Sequence, residues 1–245
     1  MSLPLVLPQW PVAGHVRAAC STRDGGVSPL PYDTLNLGDH VGDAPVNVAR
    51  NRARFVQALQ ARPVFMRQVH GTHVVTLSAD TPDGIEVDAC ITRSRGVACT
   101  IMVADCMPIL VADRAGTVVG AAHAGWRGLA GGVIEALCAA LPAGDLVAWL
   151  GPCIGPGAFE VGPEVKAAFA AHDAQSARCF RPHTPGKWLA DLPGLARMRF
   201  EALGVAATYG NDGTGEWCTV TNRSRYFSHR RDRVSGRFAA SIWLA

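Results

Sequence analysis

No run of the sequence reaches the roughly 18 consecutive apolar residues that a membrane-spanning helix needs, so no membrane span is expected. The opening MSLPLVLPQWPVAG has no basic flank, and Pro4 and Pro8 interrupt its apolar residues. It does not read as a secretory signal, and a cytoplasmic location is the expectation. Lysine is nearly missing, with Lys166 and Lys187 the only two among 23 basic residues. The formal charge of +3 is too small an excess to imply a polyanionic partner, so nucleic acid is not an expected ligand. None of the eight cysteines forms a CxxC pair, and a 245-residue chain with 49% hydrophobic residues can bury a core without disulfide staples. Most of these thiols are therefore expected to be buried small hydrophobes, with Cys153 in GPCIG the one outside the main cluster most worth questioning. There is no internal repeat, linker or low-complexity tract, and one domain spanning residues 1–245 is the expectation.

What is present reads as an α/β (α+β) chain with a mixed central sheet flanked by helices. Strands are expected at His15–Thr22, Val64–Val69, His73–Leu77, Val87–Thr92, Val97–Val103, Ile109–Ala112, Thr117–His123, Leu146–Leu150, Val205–Tyr209 and Arg237–Leu244. The last alternates Phe238, Ala240, Ile242 and Leu244 as a half-buried strand would. Helices are expected at Val46–Ala61, Leu129–Leu141, Glu164–Ala171 and Leu189–Leu203. In the first of these, Val48, Arg52, Phe55, Val56 and Leu59 share one face. From Arg23 to Pro45 the chain is dense in Gly, Pro, Asn and Asp without periodicity. A structureless loop of that length is uncommon in a compact domain unless it has a task.

The chemistry concentrates between Cys99 and Val133. Cys106 follows one apolar run, His123 closes another, and His70 lies in the Arg67–Gly71 segment at the end of the Val64–Val69 strand. Two imidazoles and a thiolate suit zinc and leave a fourth tetrahedral position open, which marks a catalytic rather than a structural site. The same atoms also read as a cysteine nucleophile activated by His123 or His70, with Asp105 or Asp88 orienting the base. Their separations match no zinc-finger spacing, and a buried thiol beside two ordinary strand-end histidines is the plainer alternative. Asp105 alone would be a turn residue. After His123, Gly125, Gly128 and the helix expected from Leu129 would expose amides to an anion. Arg127 would bind a phosphate or carboxylate there, or serve as a surface ion-pair partner. Trp126 would be a packing anchor or a stacking surface. The GK[ST] ending of a P-loop is absent.

The blocks TRDGGVSPLPYDTLNLGDHVGD, RQVHGTHV, VDACIT, VADCMPILVAD, AAHAGWRGL, GPCIGPGAFEVG and NRSRYFSHRRDRVSGRFAASIWL occur in that order and span nearly the whole chain. They strongly resemble the YfiH family, also named for multicopper polyphenol oxidase or laccase-domain proteins. The resemblance implies a YfiH-like fold related to the cysteine-hydrolase-like fold, and one zinc ion on His70, Cys106 and His123. It also implies a purine nucleoside phosphorylase of broad range that cleaves adenosine, inosine and methylthioadenosine with phosphate and deaminates adenosine. Carried over by position, Asn36 of LNLG and Arg52 become phosphate or substrate contacts. The mechanism expected from this set has Asp105 assist proton transfer and makes the Arg23–Pro45 loop a wall of the site. Purine nucleosides and phosphate are then the expected partners, and the oligomeric state is left open.

Three other readings share these residues. A copper phenol oxidase would need further copper ligands, and His73, His172, His183 and His229 form no obvious second group, although a single copper could replace zinc. An amide hydrolase editing cell-wall precursors would use Cys106 with a histidine. A zinc-stabilised module could contact RNA through Arg223, Arg225, Arg230, Arg231 and Arg233 with Tyr226 and Phe227, an arrangement that also fits a solvated, ion-paired face.

Overall fold

The computed structural model describes residues 3–205 and 207–245. The chain begins with β1 (Leu5–Val6) and β2 (Val16–Ser21), crosses the long loop, and enters α1 (Pro45–Leu59). It continues through β3 (Arg62–Phe65), β4 (Val74–Leu77), β5 (Ala89–Thr92), β6 (Val97–Val103), β7 (Met107–Asp113) and β8 (Val119–Ala124). Next come α2 (Trp126–Gly131), α3 (Val133–Ala140), β9 (Leu146–Leu150), β10 (Glu160–Val161) and α4 (Pro163–His172). A short 3-10 turn leads to β11 (Phe180–Pro182), β12 (Trp188–Ala190), α5 (Leu192–Ala202), β13 (Thr208–Gly210), α6 (His229–Asp232) and β14 (Phe238–Leu244).

The mixed sheet expected from the sequence is divided. Strands β1-β2-β14-β6-β3 form a five-stranded sheet, β13-β9-β7-β8-β5-β4 a six-stranded one, and β10-β12-β11 a small third. The two large sheets share a core that includes Val64, Cys99, Ile101, Leu110, Val119, Trp149, Phe238 and Ile242. Helices α2, α3 and α5 cover the outer face of the six-stranded sheet through Leu129, Ile134, Leu137, Leu195 and Phe200. On the other side, α1 and the long loop cover the five-stranded sheet through Leu35, Leu37, Phe55 and Leu59. Each large sheet is therefore buried on both faces, which explains why all seven residues of β14 are buried rather than every second one.

Several expected boundaries move for identifiable reasons. β3 stops at Phe65 because Gln68 pairs with β6 through its side chain: its amide accepts from the Met102 N–H and donates to the Met102 carbonyl, both at 2.8 Å. The helix expected over Leu129–Leu141 starts earlier, at Trp126, and breaks at Gly132, whose φ of 98° only glycine adopts readily. Leu189 and Ala190 belong to β12, and the helix after them starts behind Asp191, whose carboxylate accepts from the Gly194 N–H at 2.9 Å. On α1, Val56 points outward and Asn51 takes the buried position instead. The Asn51 amide donates to Ser28 Oγ and to the Thr34 and Asn36 carbonyls, and its oxygen accepts from the Val27 N–H at 2.9 Å. One helix side chain thus supplies the backbone partners that a 23-residue loop without regular structure would otherwise lack.

Candidate metal centre and its cavity

Cys106 sits in the turn between β6 and β7, both of which run entirely through buried residues. The turn is sharp enough to give Asp105 a φ of 96°. The Asp105 carboxylate holds it by accepting from Thr219 Oγ1 and from the Arg230 N–H, each at 2.6 Å. His123 lies near the end of β8, and His70 follows β3 with a φ of 63°, left-handed and uncommon for a non-glycine residue. Asp88, fully buried just before β5, fixes both histidines. Its carboxylate accepts from the N–H groups of Val69 (3.1 Å), His70 (2.8 Å) and Gly71 (2.7 Å), and from His123 Nδ1 at 2.8 Å. The last bond leaves His123 Nε2 as the free ring nitrogen, the tautomer control that metal-binding histidines usually receive from a carboxylate.

The donor atoms of His70, Cys106 and His123 all lie within 4.8 Å of one another, with Cys106 Sγ 3.8 Å from His70 Nε2. Donors around tetrahedral zinc stand about 3.3–3.6 Å apart, so a small contraction would complete the set. Gly125 shows how tightly it is enclosed. A Cβ there would come within 2.8 Å of Cys106 Sγ and 2.9 Å of His70 Cδ2, so only glycine leaves both donors where they are. Among the described residues this is the one group of three such side chains that converges.

Burial by itself would push the Cys106 thiol up, but His123 and His70 beside it outweigh burial and bring it down to about 6. Burial would likewise push His123 down, but Cys106 and Asp88 raise it to about 9. Without a metal the pair is therefore thiolate and imidazolium across neutral pH, and a cation arriving there displaces a proton from His123 rather than from sulfur. Cys153 behaves oppositely, since burial pushes its thiol well up and its sulfur accepts from Asn211 Nδ2 at 3.3 Å.

The cluster opens into a cavity of about 580 Å³ walled by Asp39, His40, Arg52, Phe65, Gln68, Met102, His229 and Arg237 among others. Cys106 also borders a second, smaller cavity of about 180 Å³, with Trp126, Ile154, Phe159 and Leu192 on its apolar side and Asp105, His229, Arg230 and Arg233 around it. The loop expected to wall the site does so through Asp39 and His40. Arg52 lines the main cavity, ion-paired to Asp39 at 3.1 Å, bonded to the Leu37 carbonyl at 2.9 Å and stacked 4.1 Å over Phe65.

The other expected contacts are placed differently. Asn36 is wholly buried and lines neither cavity. Its amide donates to Asp43 and to the Gly38 carbonyl, and its oxygen accepts from the N–H groups of Gly38 and Arg237. Arg127 is exposed, stacks 4.5 Å from the Trp126 ring, and also lines neither cavity. At the anion seat expected over Gly125–Leu129, the Leu129 N–H is bonded to the Gly125 carbonyl at 2.9 Å, and no side chain caps the six-residue α2. Tyr226 and Phe227 are buried between the sheets and cannot stack on RNA, while Arg231 is tied to Asp232 and to carbonyl groups. The sequence does not single out His40 or Arg237 as cavity residues, and it offers His229 only as a copper ligand. Arg237 alone left a trace, as a charge opening an apolar strand.

These features define an α/β protein with a three-donor candidate metal centre at the edge of a deep cavity. The chain belongs to the family described as multi-copper polyphenol oxidoreductase laccase, whose family model matches residues 17–245. It is 50% identical over 240 residues to the purine nucleoside phosphorylase PA4543 of Pseudomonas aeruginosa, covering 97% of each chain. To the purine nucleoside phosphorylase YfiH of Escherichia coli (strain K12) it is 48% identical over 244 residues, covering 98% of each. Among solved structures, the Neisseria meningitidis protein NMB0706 superposes with a TM-score of 0.91 at 45% identity, covering 98% of each chain. YlmD from Geobacillus stearothermophilus gives a TM-score of 0.86 at 30% identity, covering 98% of this chain and 99% of its own. No described helix is long and apolar enough to cross a membrane.

Proposed function

We propose that this chain, acting as one YfiH-like domain, is a zinc-dependent purine nucleoside phosphorylase. It would take adenosine, inosine and methylthioadenosine with phosphate, and would also deaminate adenosine. The observation that carries the reading is the convergence of His70, Cys106 and His123 at the cavity edge, in a chain whose near-full-length relatives bear the phosphorylase name. The donor set fits zinc: two imidazoles and a thiolate already ionised at neutral pH, with room for one further ligand on the cavity side. When bound there, zinc supplies Lewis acidity and a water of lowered pKa, the second of which deamination requires.

The protein's own groups do the rest. In phosphorolysis a phosphate oxygen bonds to the anomeric carbon as the glycosidic bond breaks, and the purine leaves with its electron pair and takes a proton. Asp88 holds His123 in one tautomer, so that Nε2 faces the centre throughout. Arg52 adds positive field to the cavity while pinned by Asp39 and Leu37. Asn36 acts from behind the wall by fixing the Arg237 backbone. Asp105 keeps unused lone pairs beyond its bonds to Thr219 and Arg230 and serves as the proton carrier beside the smaller cavity. Arg127, exposed and stacked on Trp126, which lines the smaller cavity, would reach only the outer part of a substrate.

One observation favours a second reading. A thiol lowered to about 6, beside a histidine held by a buried aspartate, is also the arrangement of a cysteine hydrolase, which would fit editing of peptidoglycan precursors. Metal analysis of the purified protein, followed by purine release with and without phosphate, separates the readings. Phosphorolysis predicts bound zinc and phosphate-dependent release that is lost in Cys106→Ala. Full cleavage by a metal-free chain supports the hydrolase, and dioxygen-dependent phenol oxidation after copper loading supports the copper reading.

A further inference from the structure

Three arginines line the main cavity, and only one has its charge uncommitted. Arg52 is paired with Asp39 at 3.1 Å and Arg67 with Glu86 at 3.0 Å. Arg237 has no carboxylate within ion-pair distance among the described residues. Its Nη1 donates to the Ser235 carbonyl (2.9 Å), to Ser235 Oγ (3.4 Å) and to the Gly236 carbonyl (3.1 Å). Its Nε and Nη2 have no protein acceptor, yet neither is sealed from solvent. They therefore face the cavity with their donors unused.

Its position is as informative as its charge. Phe238 pairs with Val103 in the β14–β6 ladder, so Arg237 extends that ladder toward Ala104, at the start of the turn that carries Cys106. Its backbone is bonded on both sides by the long loop, the N–H to Asn36 Oδ1 and the carbonyl to the Leu37 N–H, each at 2.9 Å. Its side-chain stem is boxed in by Gly38, where a Cβ would come within 2.8 Å of Arg237 Cγ. A guanidinium held this rigidly beside a cationic metal centre, with two open N–H groups in one plane, is built to receive a tetrahedral oxyanion. His40 shares the wall, but its Nδ1 stands 3.4 Å from Asp39 Oδ1, so the one proton of the neutral ring is directed to that carboxylate and Arg237 is the donor left for the anion. From the turn, the Cys106 sulfur and the Asp105 carboxylate both act on this guanidinium, neither within ion-pair distance, and the Asp105 carboxylate is oriented by its bonds to Thr219 and Arg230.

We infer that Arg237, backed by the Asn36–Gly38 segment, is the seat of inorganic phosphate at the His70–Cys106–His123 centre, and that Arg52 is its neighbour rather than the anion's principal partner. The identity of the anion rests on the phosphorolysis reading. The built anion seat does not.

The test uses the full, zinc-loaded chain with inorganic phosphate as the probe, titrated calorimetrically, alongside the KM for phosphate and for inosine. Arg237→Met keeps the stem and removes the fork. It should weaken phosphate binding and raise the phosphate KM by about 10- to 100-fold, while the inosine KM changes by about twofold or less and bound zinc is unchanged. Arg52→Met should weaken phosphate binding by a smaller factor. Wild-type phosphate affinity in Arg237→Met, or a larger loss in Arg52→Met, overturns the assignment. If circular dichroism shows Arg237→Met unfolded, Arg237→Lys decides. Loss of about threefold or more with the charge retained supports the fork, and unchanged affinity overturns it. Should the wild-type chain bind phosphate through Arg237 yet release no purine from any nucleoside, the phosphorylase reading fails and the anion seat stands.

Discussion

Cys106 and Cys153 both lie in turns beside the six-stranded sheet, and their surroundings treat sulfur in opposite ways. Cys106 borders two cavities, has two imidazoles against it and a thiol lowered to about 6. Cys153 is fully enclosed, packed near Cys218, and burial pushes its thiol up with no cation to oppose it. Burial raises both. What differs is the imidazole at contact distance: His123 holds its proton through Cys106 and then Asp88, and Asp88 also fixes the His70 backbone. The reactivity of a thiol in this fold thus depends on a directly neighbouring histidine, and Asp88 behind it adds to the effect.

The widest gap should appear when each sulfur is removed. Cys106→Ala should lose its metal and reduce purine release by about a thousandfold or more, because several kcal/mol of charge stabilisation disappear with the centre. Cys153→Ala should keep both metal and activity and lose only about 1 kcal/mol of stability in urea unfolding, so equal losses in the two variants would erase the contrast.

The next effect tests whether Asp88 sets the difference. Asp88→Asn leaves the donor atoms in place but frees His123 and three backbone amides, and zinc affinity measured against a competing chelator should fall about 10- to 100-fold. Gly125→Ala asks the same question sterically. A Cβ 2.8 Å from Cys106 Sγ must displace a donor, with about a tenfold loss of zinc affinity expected while the fold is retained.

The smallest effect is electrostatic and belongs to the metal-free chain. Cys106 is lowered to about 6, so its contribution to stability is present above the ordinary thiol value and is lost as pH falls through about 6. His123 is raised to about 9, so its contribution is present below the ordinary histidine value and is lost as pH rises through about 9. Unfolding of the metal-free protein should therefore be most resistant between those limits, and Cys106→Ala should flatten the profile. A profile unchanged by that substitution would mean that the two groups are not coupled.

Much of this arrangement can be read from the chain before folding. Strands such as Val97–Val103 and Leu146–Leu150 are legible to the residue because apolar runs bounded by turn residues leave little choice. The three donors are legible as residue types suited to zinc, and as a set through resemblance to the family. Three features are less visible. That β14 is covered on both faces depends on a helix and loop that are distant in sequence. Asn51 looks like a polar interruption of the α1 face until the loop it anchors is seen. Asn36, expected as a substrate contact, and Arg237, expected only to open the last strand, are placed by tertiary contact alone, the asparagine spent inside the wall and the arginine lining the cavity.

The most direct test of the centre is to strip the metal from wild-type protein with a chelator and measure phosphate-dependent purine release as zinc is returned. The arrangement of His70, Cys106 and His123 predicts that release disappears on chelation, returns at one zinc per chain, and does not return in Cys106→Ala. Phosphate-dependent release by the metal-free chain, or full recovery in Cys106→Ala, would contradict it.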